Sequence, residues 1–290
     1  MCDVGVKRMT ADGHPSSPAP AARAVAAHYG GGVESRVREA LAAAGLTRPR
    51  VEPAALAAMD QLHPRGKLAT DDQARRGGIL PGARVLDLGG GLGGPARWLA
   101  ERHGAMVTVL DLTPAFCRLC AQLTALCGLG SRVRPVCGDA RALPFAAASF
   151  DRVWVQYALM NMPDHARLFS DAFRVLAPGG RLVIGDVVAG SGGALRFPVP
   201  WGTGPGTTFL DTAEGLRAAI EAAGFGIDHW SDETAATLDW WRSLRPRTPP
   251  PALGPQVVFG ADAGGKVANL MANLEEGRIG EVLVVAVKPG

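Results

Sequence analysis

The strongest chemical signal lies in one short stretch. Asp87 sits near the end of an apolar run, and Gly89, Gly90, Gly91, Gly93 and Gly94 follow within seven residues. Glycine is needed where the backbone must turn sharply and approach a ligand with no Cβ in the way. A carboxylate at that turn would repel a pyrophosphate, but it suits a cationic amino-acid head group. A second apolar run ends in Asp111, 20 residues after Gly91, the spacing at which a carboxylate accepts hydrogen bonds from ribose hydroxyls. A third ends in Gly138–Asp139, where an acid can take the exocyclic amine of adenine. Gly89-x-Gly91-x-x-Gly94 also satisfies the dinucleotide fingerprint, so a nicotinamide-dependent oxidoreductase stays open. Three acids at strand ends and no basic residue in the turn favour S-adenosylmethionine instead.

The elements that must position these groups alternate regularly. Arg84–Leu88, Met106–Asp111, Val133–Asp139, Phe150–Tyr157 and Arg181–Val188 read as short apolar strands with helix-like stretches between them. That rhythm predicts a parallel sheet covered on both faces. Two later runs, Gly226–Trp230 and Glu281–Lys288, bring the strands to seven. The expected fold is an α/β, doubly wound Rossmann-like sheet, mostly parallel, with an N-terminal helical lid and an insertion after the fifth strand. Residues 1–20, rich in Pro, Ser, Ala and Gly, read as a disordered arm. Residues 21–290 read as one domain, divided into a helical lid (21–77), a cofactor-binding core (78–188), and a substrate-side insertion with the last strands (189–290). Asp211 and Glu214 read as a capping box for the helix that follows. Residues 245–255, RPRTPPPALGP, read as a stiff surface segment.

Composition excludes several classes of function. With 30 basic against 27 acidic residues, and only short basic clusters, nothing reads as a surface for nucleic acid. No apolar run reaches membrane-span length and no secretion signal opens the chain, so a cytoplasmic location without membrane contact is expected. The five cysteines are an odd number, and the lone Cys117-x-x-Cys120 pair lacks further ligands. Core packing, rather than a metal or a disulfide framework, is the expectation.

VLDLGGGLGGPARWLA, VTVLDL, GDARALPF and FDRVWVQYALMNMPDHARLFSDAFRVLAPGGRLVIGD together resemble the class I S-adenosylmethionine-dependent methyltransferases. MDQLHPRGKLAT, PVPWGTGP and NLEEGRIG are similar to the sarcosine/dimethylglycine N-methyltransferase-like subfamily, which includes natural-product methyltransferases and a cyclase that keeps the cofactor without methyl transfer. The resemblance implies that Asp87 and the backbone of Gly89, Gly90 and Gly91 hold the methionine part of the cofactor. It assigns the ribose to Asp111, the adenine face to Leu112, and the adenine amine edge to Asp139 with Ala140. It also places Gln156 facing the sulfonium and the acceptor, and Tyr29 as a lid over the cofactor. S-adenosylhomocysteine would be the product. His165 stands where such relatives usually carry lysine.

Methyl transfer from a sulfonium is an in-line displacement, so the protein mainly positions the two partners and excludes water. A neutral amine acceptor needs no strong base, whereas a hydroxyl needs a proton acceptor, most often histidine. His28, His63 and His165 are the candidate catalytic residues, because all three lie in segments expected near the crevice. No histidine–acid pair at short spacing stands out, and His165, at a helix start, reads as part of a solvated first turn. Met160, Met162, Phe197, Trp201, Phe209, Trp240 and Trp241 are the candidate substrate pocket, with an apolar and aromatic bias. A sarcosine-like substrate would need an arginine, for which Arg196 and Arg242 are candidates. The expected function is methyl transfer to a small molecule, a specialised metabolite rather than glycine or sarcosine. A cofactor-retaining cyclase, a sarcosine/dimethylglycine-type N-methyltransferase and an NAD-dependent oxidoreductase remain the alternatives.

Overall fold

Short apolar runs build one mixed sheet, with strands β1 (Arg84–Leu88), β2 (Met106–Asp111), β3 (Val133–Cys137), β4 (Phe150–Gln156), β5 (Leu176–Ala189), β6 (Gly226–Asp232) and β7 (Ile279–Val287). The computed structural model describes residues 20–244 and 251–290. The arm expected over residues 1–20, apart from its last residue, and positions 245–250 of the proline-rich segment lie outside the described residues. The strand order is β3-β2-β1-β4-β5-β7-β6. The first five strands pair in parallel, and β7 runs antiparallel between β5 and β6. This is the mostly parallel seven-stranded sheet expected from the sequence.

Successive residues of each central strand face opposite layers, as the pleat requires. Leu86, Val153, Ile184 and Val284 face one core with Leu168 and Phe169. Their neighbours Val85, Trp154, Val183 and Val285 face another with Ala74 and Leu99. The order reverses between β1 and β4, so a crevice opens outside their carboxyl ends, the usual ligand position in doubly wound sheets. The register pairs Leu88 with Leu110 and Val155, and Asp111 with Cys137, so the ends of β1 to β4 share one rim.

The helices are α1 (Pro20–Gly30), α2 (Val33–Ala43), α3 (Pro53–Asp60), α4 (Lys67–Gly77), α5 (Gly94–Arg102), α6 (Pro114–Leu126), α7 (His165–Val175), α8 (Ala213–Ala222), α9 (Thr234–Ser243), α10 (Gln256–Phe259) and α11 (Ala263–Glu275). Among the described residues, no helix is long and apolar enough to cross a membrane. Residues 21–77, expected as a helical lid, form α1 to α4. α4 lies on the sheet itself, so close that a Cβ on Gly77 would stand 2.8 Å from Val183 Cγ2. The capping expectation for α8 is corrected. Thr212, one residue later than expected, is the N-cap and accepts from the Gly215 amide at 3.1 Å. Asp211 is drawn instead to His165.

The two outermost strands are irregular. Pro135 lies in β3, and the pairing of β6 with β7 shifts register between Ile227 and His229.

Candidate active site

The glycine turn follows β1 and is pinned to β2 by the Gly89 amide donating to Leu110 O at 2.7 Å. Gly89 takes φ +73° and Gly91 φ +54°, the left-handed region that other residues enter at a cost. Gly90 is needed for space, since a Cβ there would overlap the Asp87 carboxylate and stand 2.6 Å from Val109 Cγ1. Asp87 is buried beneath the turn, and its Oδ2 has no hydrogen-bond partner. Burial, then the nearby charge of Asp111, push this carboxyl up to about 7. Asp111 Oδ2 accepts from Gly91 N at 2.9 Å and Oδ1 from Thr113 N at 2.8 Å. It therefore also ties the turn to the start of α6. Burial raises its carboxyl, with the amides of Thr113 and Gly91 opposing that shift.

Tyr29, Asp87, Gly89, Gly90, Gly91, Asp111, Leu112 and Gln156 line one cavity over this turn. Tyr29 reaches across from α1, donating its hydroxyl to Asn161 Oδ1 at 2.8 Å while its ring packs on Phe116. Burial, then Asp111 and Asp186, push the tyrosine far above its ordinary pKa, so it stays protonated. Gln156 is buried at the end of β4, with Oε1 3.3 Å from the Thr70 hydroxyl and Nε2 without a partner.

Asp139 and Ala140 do not join this cavity. Asp139 turns back on its own segment, where both of its oxygens are held by Arg141 at 2.7–3.0 Å. Burial raises that carboxyl, but the Arg141 hydrogen bonds outweigh it and leave it below the usual range. Ala140 is packed into the core.

The three histidines separate. His63 lines the cavity. His28 lies outside it, where Nε2 donates to Pro200 O at 3.1 Å and helps dock α1 on the insertion. His165 is buried, not solvated. Its Nδ1 meets Asp211 Oδ2 at 2.6 Å and its Nε2 meets Leu159 O at 3.1 Å, so neither nitrogen is open to an acceptor. A histidine–acid pair thus exists, but its role is to hold the turn at Leu159–Asn161.

Met160, Met162 and Trp201 line the cavity, whereas Phe197, Phe209, Trp240 and Trp241 do not. Phe197 and Trp241 pack on a neighbouring apolar cluster, and Trp240 stacks at a tilt on Trp241 along α9. α9 packs against β7 and α11, and neither of its tryptophans lines the cavity. The Phe209 backbone amide supports Met160 from behind, donating to its carbonyl at 2.8 Å. Arg196 pairs with Glu276, and Arg242 with Asp239 and Glu275, on the surface.

Sequence reasoning missed Asp60, Phe116 and Asn161. Asp60 lines the cavity, with Oδ1 unpartnered and Oδ2 bound to buried Arg97 at 2.6 Å. Asn161 accepts from Tyr29 and donates through Nδ2 to Trp201 O at 2.9 Å and Thr207 O at 2.8 Å. Its place three residues before Asp164 and four before His165 was the available signal.

The donor set fits S-adenosylmethionine. An orphaned, buried carboxylate oxygen awaits a cation, and the cradle beside it closes as soon as Gly90 acquires a side chain. Residues 86–184 match the family model described as a methyltransferase domain. The chain is 34% identical over 185 residues to methyltransferase GfsG of Streptomyces halstedii, an alignment spanning 62% of this chain and 66% of that one. It is 30% identical over 231 residues to 27-O-demethylrifamycin SV methyltransferase of Amycolatopsis mediterranei, covering 74% of this chain and 82% of the relative. Among solved structures, the 4+2 cyclase SpnF is similar with a TM-score of 0.61 and 27% identity, over 77% of this chain and 80% of that one. A match of that extent to a known methyltransferase sets the nicotinamide reading aside: the chain belongs to the class I S-adenosylmethionine-dependent methyltransferases.

Proposed function

We propose that this chain methylates an uncharged, largely apolar specialised metabolite. The observation that carries this reading is the apolar part of the cavity lining. Met160, Met162, Trp201, Phe259 and Leu270 line it, and no arginine or lysine lines the cavity among the described residues. A sarcosine-like carboxylate would find no cation there. Relatives named as a 27-O-demethylrifamycin SV methyltransferase and an erythromycin 3''-O-methyltransferase support a specialised metabolite as the acceptor.

Asp87 would take the cofactor's ammonium, the amides of the glycine turn its carboxylate end, and Asp111 its ribose. Leu112 would cover the adenine, and Tyr29 would close α1 over the site. When bound, S-adenosylmethionine supplies a methyl group on a cationic sulfur and leaves as S-adenosylhomocysteine. The protein's part is to orient the acceptor and keep water out.

The test is incubation with S-adenosylmethionine and a panel of hydroxylated polyketide aglycones, glycine and sarcosine, read by mass spectrometry. Methylation within the aglycones, and of neither amino acid, is expected. Methylation of sarcosine alone would overturn the reading. Conversion of an aglycone without methylation, supported equally by S-adenosylhomocysteine, would instead align the chain with the cyclase it resembles.

Asp87 also gives the cofactor step a pH signature. The carboxyl must be ionised to meet an ammonium, yet in the free chain it titrates at about 7. Affinity for S-adenosylhomocysteine is therefore expected to fall below pH 7, by about tenfold per unit. Asp87→Asn should bind weakly and lose that slope in calorimetry. Stability moves the other way. A carboxyl raised from 3.8 to about 7 on folding leaves the cofactor-free chain less stable as pH rises through that window. Bound cofactor should offset the loss.

A further inference from the structure

Among the unpartnered polar atoms that the cofactor assignments above leave unused is a histidine nitrogen. His63 Nδ1 lies 3.1 Å from Pro64 O, and a carbonyl only accepts, so Nδ1 carries the hydrogen. Nε2 is then a bare lone pair. It is buried, has no partner, and belongs to a residue lining the same cavity as Asp87, Gln156 and Met160.

The ring is held in place from two sides. It stacks on Tyr157, with centroids 5.3 Å apart and planes 12° from parallel. Tyr157 itself takes φ +50°, the kind of strained backbone that persists where surrounding structure over-determines it. The turn after His63 is clamped by Arg65, which pairs with Asp72 and, at 2.8 Å, with Glu233. Of the other unpartnered polar atoms on cavity-lining residues, Asp60 Oδ1 and Asp87 Oδ2 are carboxylate oxygens, whereas Gln156 Nε2 and Trp201 Nε1 are donors suited to the lone pairs of a neutral oxygen compound.

We propose that His63 is a catalytic residue that takes the proton of the acceptor through Nε2, and that the acceptor is accordingly a hydroxyl compound. The inference rests on the reading of this cavity as the methyl-transfer site. The bond from the acceptor oxygen to the methyl carbon forms as the carbon–sulfur bond breaks. Sulfur keeps that electron pair, and the hydroxyl proton passes to Nε2. One positive charge thus leaves sulfur and one arrives on the imidazole, so the enclosed site carries the same net charge before and after. Burial lowers the His63 pKa to about 4, the Pro64 carbonyl opposing, so the imidazole starts neutral and gives the proton up readily to water afterwards.

The test uses the full chain with S-adenosylhomocysteine bound and phenol as the probe, with toluene as its control. Nitrogen NMR of the wild type should show Nδ1 protonated and Nε2 bare at neutral pH, and phenol should shift the Nε2 resonance. His63→Phe keeps a ring on Tyr157 and removes the lone pair. It should bind phenol about tenfold more weakly, toluene unchanged, with S-adenosylhomocysteine affinity intact. With any aglycone that the wild type methylates, kcat should fall by about 10²–10⁴ while KM changes little. A proton on Nε2 in the free enzyme, equal losses for phenol and toluene, or a kcat within about tenfold of wild type would overturn the proposal. Failure of the wild type to bind S-adenosylhomocysteine would instead sink the cofactor reading, while the tautomer measurement still judges His63.

Discussion

Gly90→Ala is expected to weaken S-adenosylhomocysteine binding by more than about a hundredfold while leaving a folded protein. Gly90 is the informative position because its backbone lies outside the left-handed region, unlike Gly89 and Gly91, so alanine brings no dihedral strain. What it brings is a methyl group inside the Asp87 carboxylate and 2.6 Å from Val109 Cγ1. The carboxylate must move, and the cofactor's ammonium loses a charged partner, an interaction worth roughly 1.5–3 kcal/mol before the blocked approach is counted. Calorimetry measures the affinity and circular dichroism the fold. Near-normal affinity in a folded Gly90→Ala variant would mean that Asp87 and this turn are not the cofactor's seat.

The second large effect is on stability. Arg97 and Asp60 form an ion pair at 2.6 Å with side chains 0% and 2% exposed. Such a pair adds little over a well-packed apolar substitute, but removing one partner strands a buried charge at a cost of about 3–5 kcal/mol. Arg97→Leu should lose that amount in urea unfolding. Arg97 Nη1 also donates to Leu92 O at 2.7 Å, so the variant should hold the glycine turn less firmly and bind S-adenosylhomocysteine more weakly. The double variant Asp60→Leu/Arg97→Leu removes both charges and should recover most of the stability. A loss below about 1 kcal/mol in the single variant would show that water or a shifted neighbour neutralises Asp60.

These two predictions differ in how far the sequence alone could have led to them. The glycine turn and Asp111 were legible because both follow short apolar runs, and buried parallel strands read as such runs. β1 and β2 fall at the residues expected, whereas β5 begins five residues earlier, at Leu176. The Asp60–Arg97 pair was not legible, since 37 residues separate partners that only tertiary packing brings together. The same holds for His165 and Asp211, 46 apart, where the local helix-start signal pointed to solvent and a long-range contact prevailed. The tryptophans misled for a related reason. An aromatic pair signals burial, but which face of α9 is buried depends on β7 and α11, and both elements come later in the chain.

The irregular outer strands have a consequence for how this protein behaves in a crowd. An open sheet presents unpaired amides and carbonyls at both margins, a template on which another chain can extend the ladder. Here β3 carries Pro135, which has no amide hydrogen to offer, and β6 is kinked by its register shift between Ile227 and His229. Neither margin is a straight, fully donating edge. Strand-by-strand extension of the sheet is therefore disfavoured at both of its ends.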